Sequence, residues 1–208
     1  MVLRYLVLVC VLFSIHTLAL TAIQPVAKAK TLDNLKSAFI GETTASAKYD
    51  AYSKKARKEG FIKIAVLFET ASKSEKIHAN NHKAVLEQLG EKVEQFNPTF
   101  EVKSTKENLD DAIAGESYEV ATMYPEFLRA SNEGGVNLAS ISFNYAYQTE
   151  QKHKVFYKNA LDKLNAKKET ELAAKYFICS TCGNTYDSQA PKRCGVSMTQ
   201  GDRFITIN

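Results

Sequence analysis

The chain carries one four-residue pattern twice, as Glu75-Lys-Ile-His78 and as Glu150-Gln-Lys-His153. Residues three apart on an α-helix share a face, so each copy aims a carboxylate and an imidazole at a single point. Two further acids three apart, Glu116 and Glu119, lie between the copies, and a lone Glu42 sits upstream in a small, polar run. One such pair alone is usually solvent-exposed. Two pairs on different helices, with acids at seam positions on two more, reverse that reading, because several carboxylates buried together are very costly unless cations neutralise them. The donor set is oxygen-rich with two imidazoles. It suits iron or manganese and is poor for copper or structural zinc.

The spacing supplies the four helices. Leu35, Phe39, Thr43, Ala47 and Ala51 recur at helical steps from Leu32 to Lys58, where Gly60 ends the run, and Glu42 is one position from that seam. Phe61 to Leu89 carries Ile64, Leu67, Phe68, Ala71, Glu75, His78, His82, Val85 and Leu89 in register. Residues 91–103 contain Pro98 and alternate apolar with polar residues, which predicts an extended crossover with a short strand. Ser104-Thr-Lys-Glu107 matches a capping box and opens a third helix running to about Asn132. Its inward side is expected to include Leu109, Ile113, Glu116, Glu119 or Val120, and Met123, with a kink at Pro125. Gly134-Gly135 breaks it. A fourth helix from Val136 to Lys167 aligns Ile141, Tyr145, Glu150, His153, Tyr157 and Leu161. The expected architecture is therefore an all-α four-helix bundle followed by a small cysteine knuckle.

Residues 1–29 read as an export signal. Arg4 gives a positive start, Tyr5–Leu20 is largely apolar, and Ala27-Lys-Ala29 offers a small-x-small cleavage pattern, with Ala22 as a second site. Cys10 is apolar filler within it. The expected divisions are a signal peptide over 1–29, a four-helix domain over 30–167 and a knuckle over 168–208, with a periplasmic destination. Without Arg4 and Lys28 the balance is 25 basic against 23 acidic residues, so no basic stripe supports nucleic-acid binding.

Five stretches together resemble the rubrerythrins. They are Gly41-Glu42-Thr-Thr-Ala-Ser-Ala-Lys-Tyr49, Glu75-Lys-Ile-His78-Ala79, Ala114-Gly-Glu116-Ser-Tyr-Glu119 leading to Met123-Tyr124-Pro125-Glu126-Phe127, Glu150-Gln-Lys-His153, and the cysteine tail. The resemblance implies a ferritin-like bundle with two non-haem iron ions and a C-terminal rubredoxin-like domain. It implies Glu75 and Glu150 as bridging ligands, with Glu42, Glu116, Glu119, His78 and His153 as terminal ones. In the family one iron exchanges a His for the extra Glu, here Glu119, as its redox state changes. Tyr49 and Tyr124 match tyrosines that orient the carboxylates. His82, four residues beyond His78, is not needed as a ligand. The implied reaction is a peroxidase one in oxidative-stress defence, in which hydrogen peroxide is reduced to water. Two ferrous ions supply the electrons, and an electron-donor protein restores them. A homodimer is implied as well. An iron-binding ferroxidase on the same centre is the alternative.

The tail departs from the family pattern. A tetrathiolate site needs two Cys-x-x-Cys pairs, and Cys179-Ser-Thr-Cys182 is followed by Cys194-Gly-Val-Ser197, in which serine closes the second pair. Three readings stay open: iron or zinc on three thiolates with Ser197 or water, a metal-free knuckle, or a disulfide, which export would favour.

Overall fold

Each long helix carries two apolar stretches separated by a polar interval, and the fold stacks these intervals at one level. In the computed structural model the backbone is described from Val2 to Asn208 and side chains from Gln24 onward, so the side chains of most of the expected signal peptide, Cys10 included, lie outside what is described. Helix α1 (Val2–Lys58) pairs with α2 (Ile62–Gln88), and α3 (Thr105–Tyr118) continues through one π turn, Glu119–Met123, into α4 (Tyr124–Glu133). Helix α5 (Asn137–Asn165) completes the bundle. Among the described residues no helix is long and apolar enough to cross a membrane.

One apolar layer gathers Tyr49, Tyr52, Phe68, Leu109 and Tyr157, and the other gathers Leu35, Leu86, Tyr124, Phe127 and Phe143. Along the sequence Glu42, Glu75 and Glu150 each fall between the two layers' contributions from their own helix, and Glu116 falls between those of α3 and α4. Each buried Leu, Phe or Tyr adds roughly 1.5–3 kcal/mol, so the two layers offset the cost of the charged level between them.

The structure adjusts several expectations. The buried face of α1 runs through Leu35, Ala38, Glu42, Tyr49, Tyr52 and Ala56, while Phe39, Thr43, Ala47 and Ala51 are only partly buried, so Glu42 stands on the seam itself. On α5 the seam is Ala139, Phe143, Ala146, Glu150, His153, Tyr157 and Ala160, which leaves Ile141 48% exposed. Ala112, rather than Ile113, is fully buried on α3. Residues 91–103 form no strand. The capping box is present, with the Ser104 hydroxyl accepting from the Glu107 amide and the Glu107 carboxylate accepting from the Ser104 amide.

Pro125 does not kink a helix interior. It occupies the first turn of α4, where its missing N–H costs nothing. The preceding π turn absorbs the mismatch instead, with the Tyr124 amide donating to the Glu119 carbonyl five residues back. The extra residue rotates Tyr124, not Met123, fully into the core.

The tail forms a three-stranded antiparallel sheet, β1 (Tyr176–Cys179), β2 (Thr185–Asp187) and β3 (Phe204–Ile207), in the order β2-β1-β3. Leu172, Tyr176, Ile178 and Ile207 join the first apolar layer, which anchors the sheet to the bundle.

Candidate metal centre

Six of the seven expected ligands converge at the charged level. The donor atoms of Glu42, Glu75, His78 and Glu150 lie within 4.8 Å of one another, as do those of Glu75, Glu116, Glu150 and His153. The two groups share Glu75 and Glu150. His78 Nδ1 is 2.8 Å from Glu75 Oε2 and 2.8 Å from Glu150 Oε1, while His153 Nδ1 is 3.0 Å from Glu75 Oε1 and 2.8 Å from Glu150 Oε2. Each shared carboxylate thus spends one oxygen on each half, which is the arrangement of a bridge between two cations.

Each outer carboxylate is held at one oxygen by a tyrosine. The Tyr49 hydroxyl donates to Glu116 Oε1 at 2.7 Å, and the Tyr124 hydroxyl donates to Glu42 Oε1. Their second oxygens, Glu116 Oε2 and Glu42 Oε2, are buried and make no hydrogen bond, and the same holds for both oxygens of Glu150, Glu75 Oε1 and His153 Nδ1. Buried polar atoms left in this condition are expensive. Their convergence is what two bound metal ions would satisfy.

The electrostatics agree. Burial, reinforced by the charge of Glu75, pushes the Glu42 carboxyl up to about 8. Glu116 and Glu119 are raised well above the carboxylate range by burial and then by neighbouring acids, chiefly Glu150 and Glu42 respectively. Burial opposes the charged form of His78 and His153, yet Glu150 and Glu75 hold both well above the usual imidazole value. Glu75 falls to about 2 against the effect of burial, drawn down by His153. The centre holds surplus negative charge that metal cations would replace protons to balance.

Glu119 lies on the π turn, half-buried and outside both four-residue groups. Among the charges acting on it, that of Glu42 is the largest. His82 belongs to neither group.

The tail docks on the outer edges of both histidines. His78 Nε2 donates to the Cys182 carbonyl at 3.1 Å, and His153 Nε2 lies 3.0 Å from Thr185 Oγ1. Ser74 Oγ donates to the Gly183 carbonyl at 2.7 Å, and Asn81 Nδ2 to the Thr181 carbonyl at 3.0 Å. Gly183 has φ +77°, and a Cβ added there would meet His78 Nε2 at 2.4 Å. Only glycine permits this approach.

Within the tail the two half-knuckles repeat one geometry. The Cys179 amide donates to the Asn184 carbonyl at 3.0 Å and the Gly183 amide to the Cys179 carbonyl at 2.9 Å. In the second half the Cys194 amide donates to the Thr199 carbonyl at 2.8 Å and the Met198 amide to the Cys194 carbonyl at 3.1 Å. Gly183 and Met198 both take a positive φ. Ser197 therefore stands where Cys182 stands in the first half, with its Oγ 3.2 Å from Cys179 Sγ. The three cysteines are free and buried, and Cys182 Sγ is 3.4 Å from Cys194 Sγ, well beyond disulfide length. The hydrogen bond from Cys182 pulls the Cys179 thiol down to about 4 and pushes Cys182 up. The cluster is suited to a metal ion.

A bundle that buries paired carboxylates and histidines at one level defines a ferritin-like di-iron carboxylate protein. The rubrerythrin family model matches residues 33–161. Nigerythrin of Nitratidesulfovibrio vulgaris is 33% identical over 84% of this chain and 85% of its own length, and rubrerythrin-2 of Clostridium acetobutylicum is 31% identical over 86% and 97%. The structure of nigerythrin in its fully reduced, all-ferrous state superposes with a TM-score of 0.77 at 31% identity, covering 85% of this chain and 86% of that one. A Rhodobacter capsulatus bacterioferritin, at 22% identity and TM-score 0.60 over 66% of this chain and 87% of that one, shares the fold. The chain belongs to the rubrerythrin family, with a di-iron centre in the bundle and a cysteine cluster for a further metal.

Proposed function

We propose that this protein is a peroxidase that reduces hydrogen peroxide to water, taking two electrons and two protons per peroxide. The observation that carries the reading is the hydrogen bond from His78 to the Cys182 carbonyl, which sets a redox-capable cysteine site directly against a ligand of the di-iron centre. A centre that only oxidises and stores iron has no need of an electron port.

In this reading Glu75 and Glu150 hold two metals at fixed separation, Glu42 with His78 and Glu116 with His153 complete the two halves, and Glu119 is the spare anionic ligand. Once bound, the metals supply Lewis acidity toward peroxide and the two electrons that break the O–O bond. The chain supplies the rest. Tyr49 and Tyr124 fix the outer carboxylates, the two apolar layers exclude bulk water, and the Cys182 carbonyl fixes His78 as the tautomer whose Nδ1 faces the metal.

Ser197 is assigned as the fourth ligand of the knuckle on the strength of the repeated half-knuckle geometry. An oxygen donor favours the ferric form and lowers the potential of an iron there, so turnover depends on a strongly reducing donor protein. A homodimer and export to the periplasm complete the proposal. Ala27 is buried, its carbonyl accepts from Thr31 Oγ1 at 2.7 Å, and Gly134 packs against the Ala27–Lys28 backbone. These contacts support cleavage after Ala22 over cleavage after Ala29.

Anaerobic titration of the reduced, iron-loaded protein with hydrogen peroxide tests the reading. One peroxide consumed per two electrons, without release of oxygen, is the expected result. Oxygen release, or reduced iron that survives peroxide, overturns it.

A further inference from the structure

His82 is a fully buried imidazole with both nitrogens engaged. Its Nδ1 is 2.7 Å from Ser142 Oγ on α5 and its Nε2 is 3.2 Å from the Tyr124 hydroxyl, which in turn contacts Glu42. Its ring packs 5.4 Å from that of Phe143. A histidine four residues past a ligand histidine on the same face would ordinarily compete for the metal. Here its nearer ring nitrogen stays 4.0 Å from Glu42 Oε1, and Tyr124 bridges the gap between them.

The direction of this chain follows from its last member. A carboxylate ligand has no proton to give, so Tyr124 must donate to Glu42. The phenol oxygen is then free only to accept, so His82 presents Nε2–H to it. Nδ1 is left bare and accepts from the Ser142 hydroxyl. Every bond points toward Glu42, and each donor polarises the next. The other half of the centre has no counterpart among the described residues. Tyr49 donates to Glu116, but no N–H or O–H donor backs its phenol oxygen, and the neighbouring Tyr157 hydroxyl is buried without a partner.

We propose that His82 is a positioning residue, the middle of a one-way hydrogen-bond chain Ser142–His82–Tyr124 that holds Glu42 at Oε1, the oxygen 3.8 Å from His78 Nδ1, and so fixes this carboxylate at the metal site. Its loss weakens metal binding in the Glu42–His78 half alone. The inference rests on the di-iron centre and is independent of the peroxidase reading.

The test is anaerobic calorimetric titration of the metal-free full chain with Fe(II), resolving the two binding steps. Removal of a hydrogen bond to a ligand typically costs 10–100-fold in metal affinity, so His82→Leu should weaken one step by about tenfold. Tyr49→Phe should weaken the other. Because His82 acts through Tyr124, the variant His82→Leu/Tyr124→Phe should bind no more weakly than Tyr124→Phe alone. His82→Gln, which keeps an N–H donor, should recover part of the loss. Unchanged affinity in His82→Leu, equal weakening of both steps, or multiplicative losses in the double variant would each overturn the proposal. If His82→Leu does not fold, Ser142→Ala carries the test. A smaller loss on the same step that vanishes in the Tyr124→Phe background supports the chain, and wild-type affinity refutes it.

Discussion

Gly183→Ala is the substitution that most sharply separates the metal centre from its electron supply. The new Cβ would stand 2.4 Å from His78 Nε2, 2.7 Å from His78 Cδ2 and 3.0 Å from Ser74 Oγ, all on a backbone with φ +77°. Holding alanine in a left-handed conformation costs about 1–2 kcal/mol. Moving the loop away breaks the bonds from His78, Ser74 and Asn81, worth about 1 kcal/mol each. Those bonds are already lost in the undocked state, so the docking equilibrium shifts by the backbone strain of about 1–2 kcal/mol, roughly 5–30-fold, and the overlap with His78 adds to it. Leu172, Tyr176, Ile178 and Ile207 still tether the sheet to the bundle, so the knuckle pivots and does not detach. All seven candidate ligands stay on the helical elements of the bundle, but His78 loses the carbonyl that orients it, so iron binding in the Glu42–His78 half should weaken by about 10–100-fold and the variant is loaded at saturating Fe(II). In the fully loaded variant, stopped-flow kinetics should show re-reduction of the oxidised centre through the knuckle slowed far more than reoxidation of the chemically reduced protein by peroxide. Unchanged re-reduction would refute the electron route through Cys182 and His78.

Other outcomes follow from the same geometry. Glu150→Ala removes a carboxylate shared by both groups, and metal analysis should find both irons lost, whereas Glu42→Ala should retain one. Tyr49→Phe frees Glu116 Oε1 and should weaken one binding step by about 10–100-fold in an Fe(II) titration. In the Co(II)-loaded full chain, Ser197→Ala should alter the thiolate-to-metal charge-transfer bands and Ser197→Cys should strengthen them, and identical spectra for Ser197→Ala and wild type would remove Ser197 from the ligand set. The proposed export with cleavage after Ala22 predicts that N-terminal sequencing begins at Ile23, and a start at Lys30 would overturn that site.

The bundle was legible because its signal is local. Glu-x-x-His at three-residue spacing declares a shared helix face, and the Gly60 and Gly134-Gly135 breaks bound the helices. What spacing could not show was rotation within a face. The α1 seam falls on Glu42 itself, and Ile141 points outward, because pairwise packing chooses between neighbouring positions of similar hydrophobicity. The π turn is not legible in the sequence, since Pro125 signals a disturbance without specifying that an inserted residue absorbs it upstream. Contacts distant in sequence were the least visible. The bond from Ser142 to His82 spans 60 residues and that from His78 to Cys182 spans 104. His82 was visible as a histidine in register with His78, but its partners on α4 and α5 decide that it serves Tyr124 and not a metal. Gly183, just after Cys182, reads as an ordinary knuckle glycine until the His78 ring is found against its α-carbon.

The measurement that bears most directly on the central claim is stopped-flow reoxidation of the reduced, iron-loaded protein by hydrogen peroxide and by oxygen, run alongside metal analysis. The expected result is two irons per chain in the bundle, fast oxidation by peroxide and slow oxidation by oxygen. Equal rates with the two oxidants would contradict it and make the centre a ferroxidase.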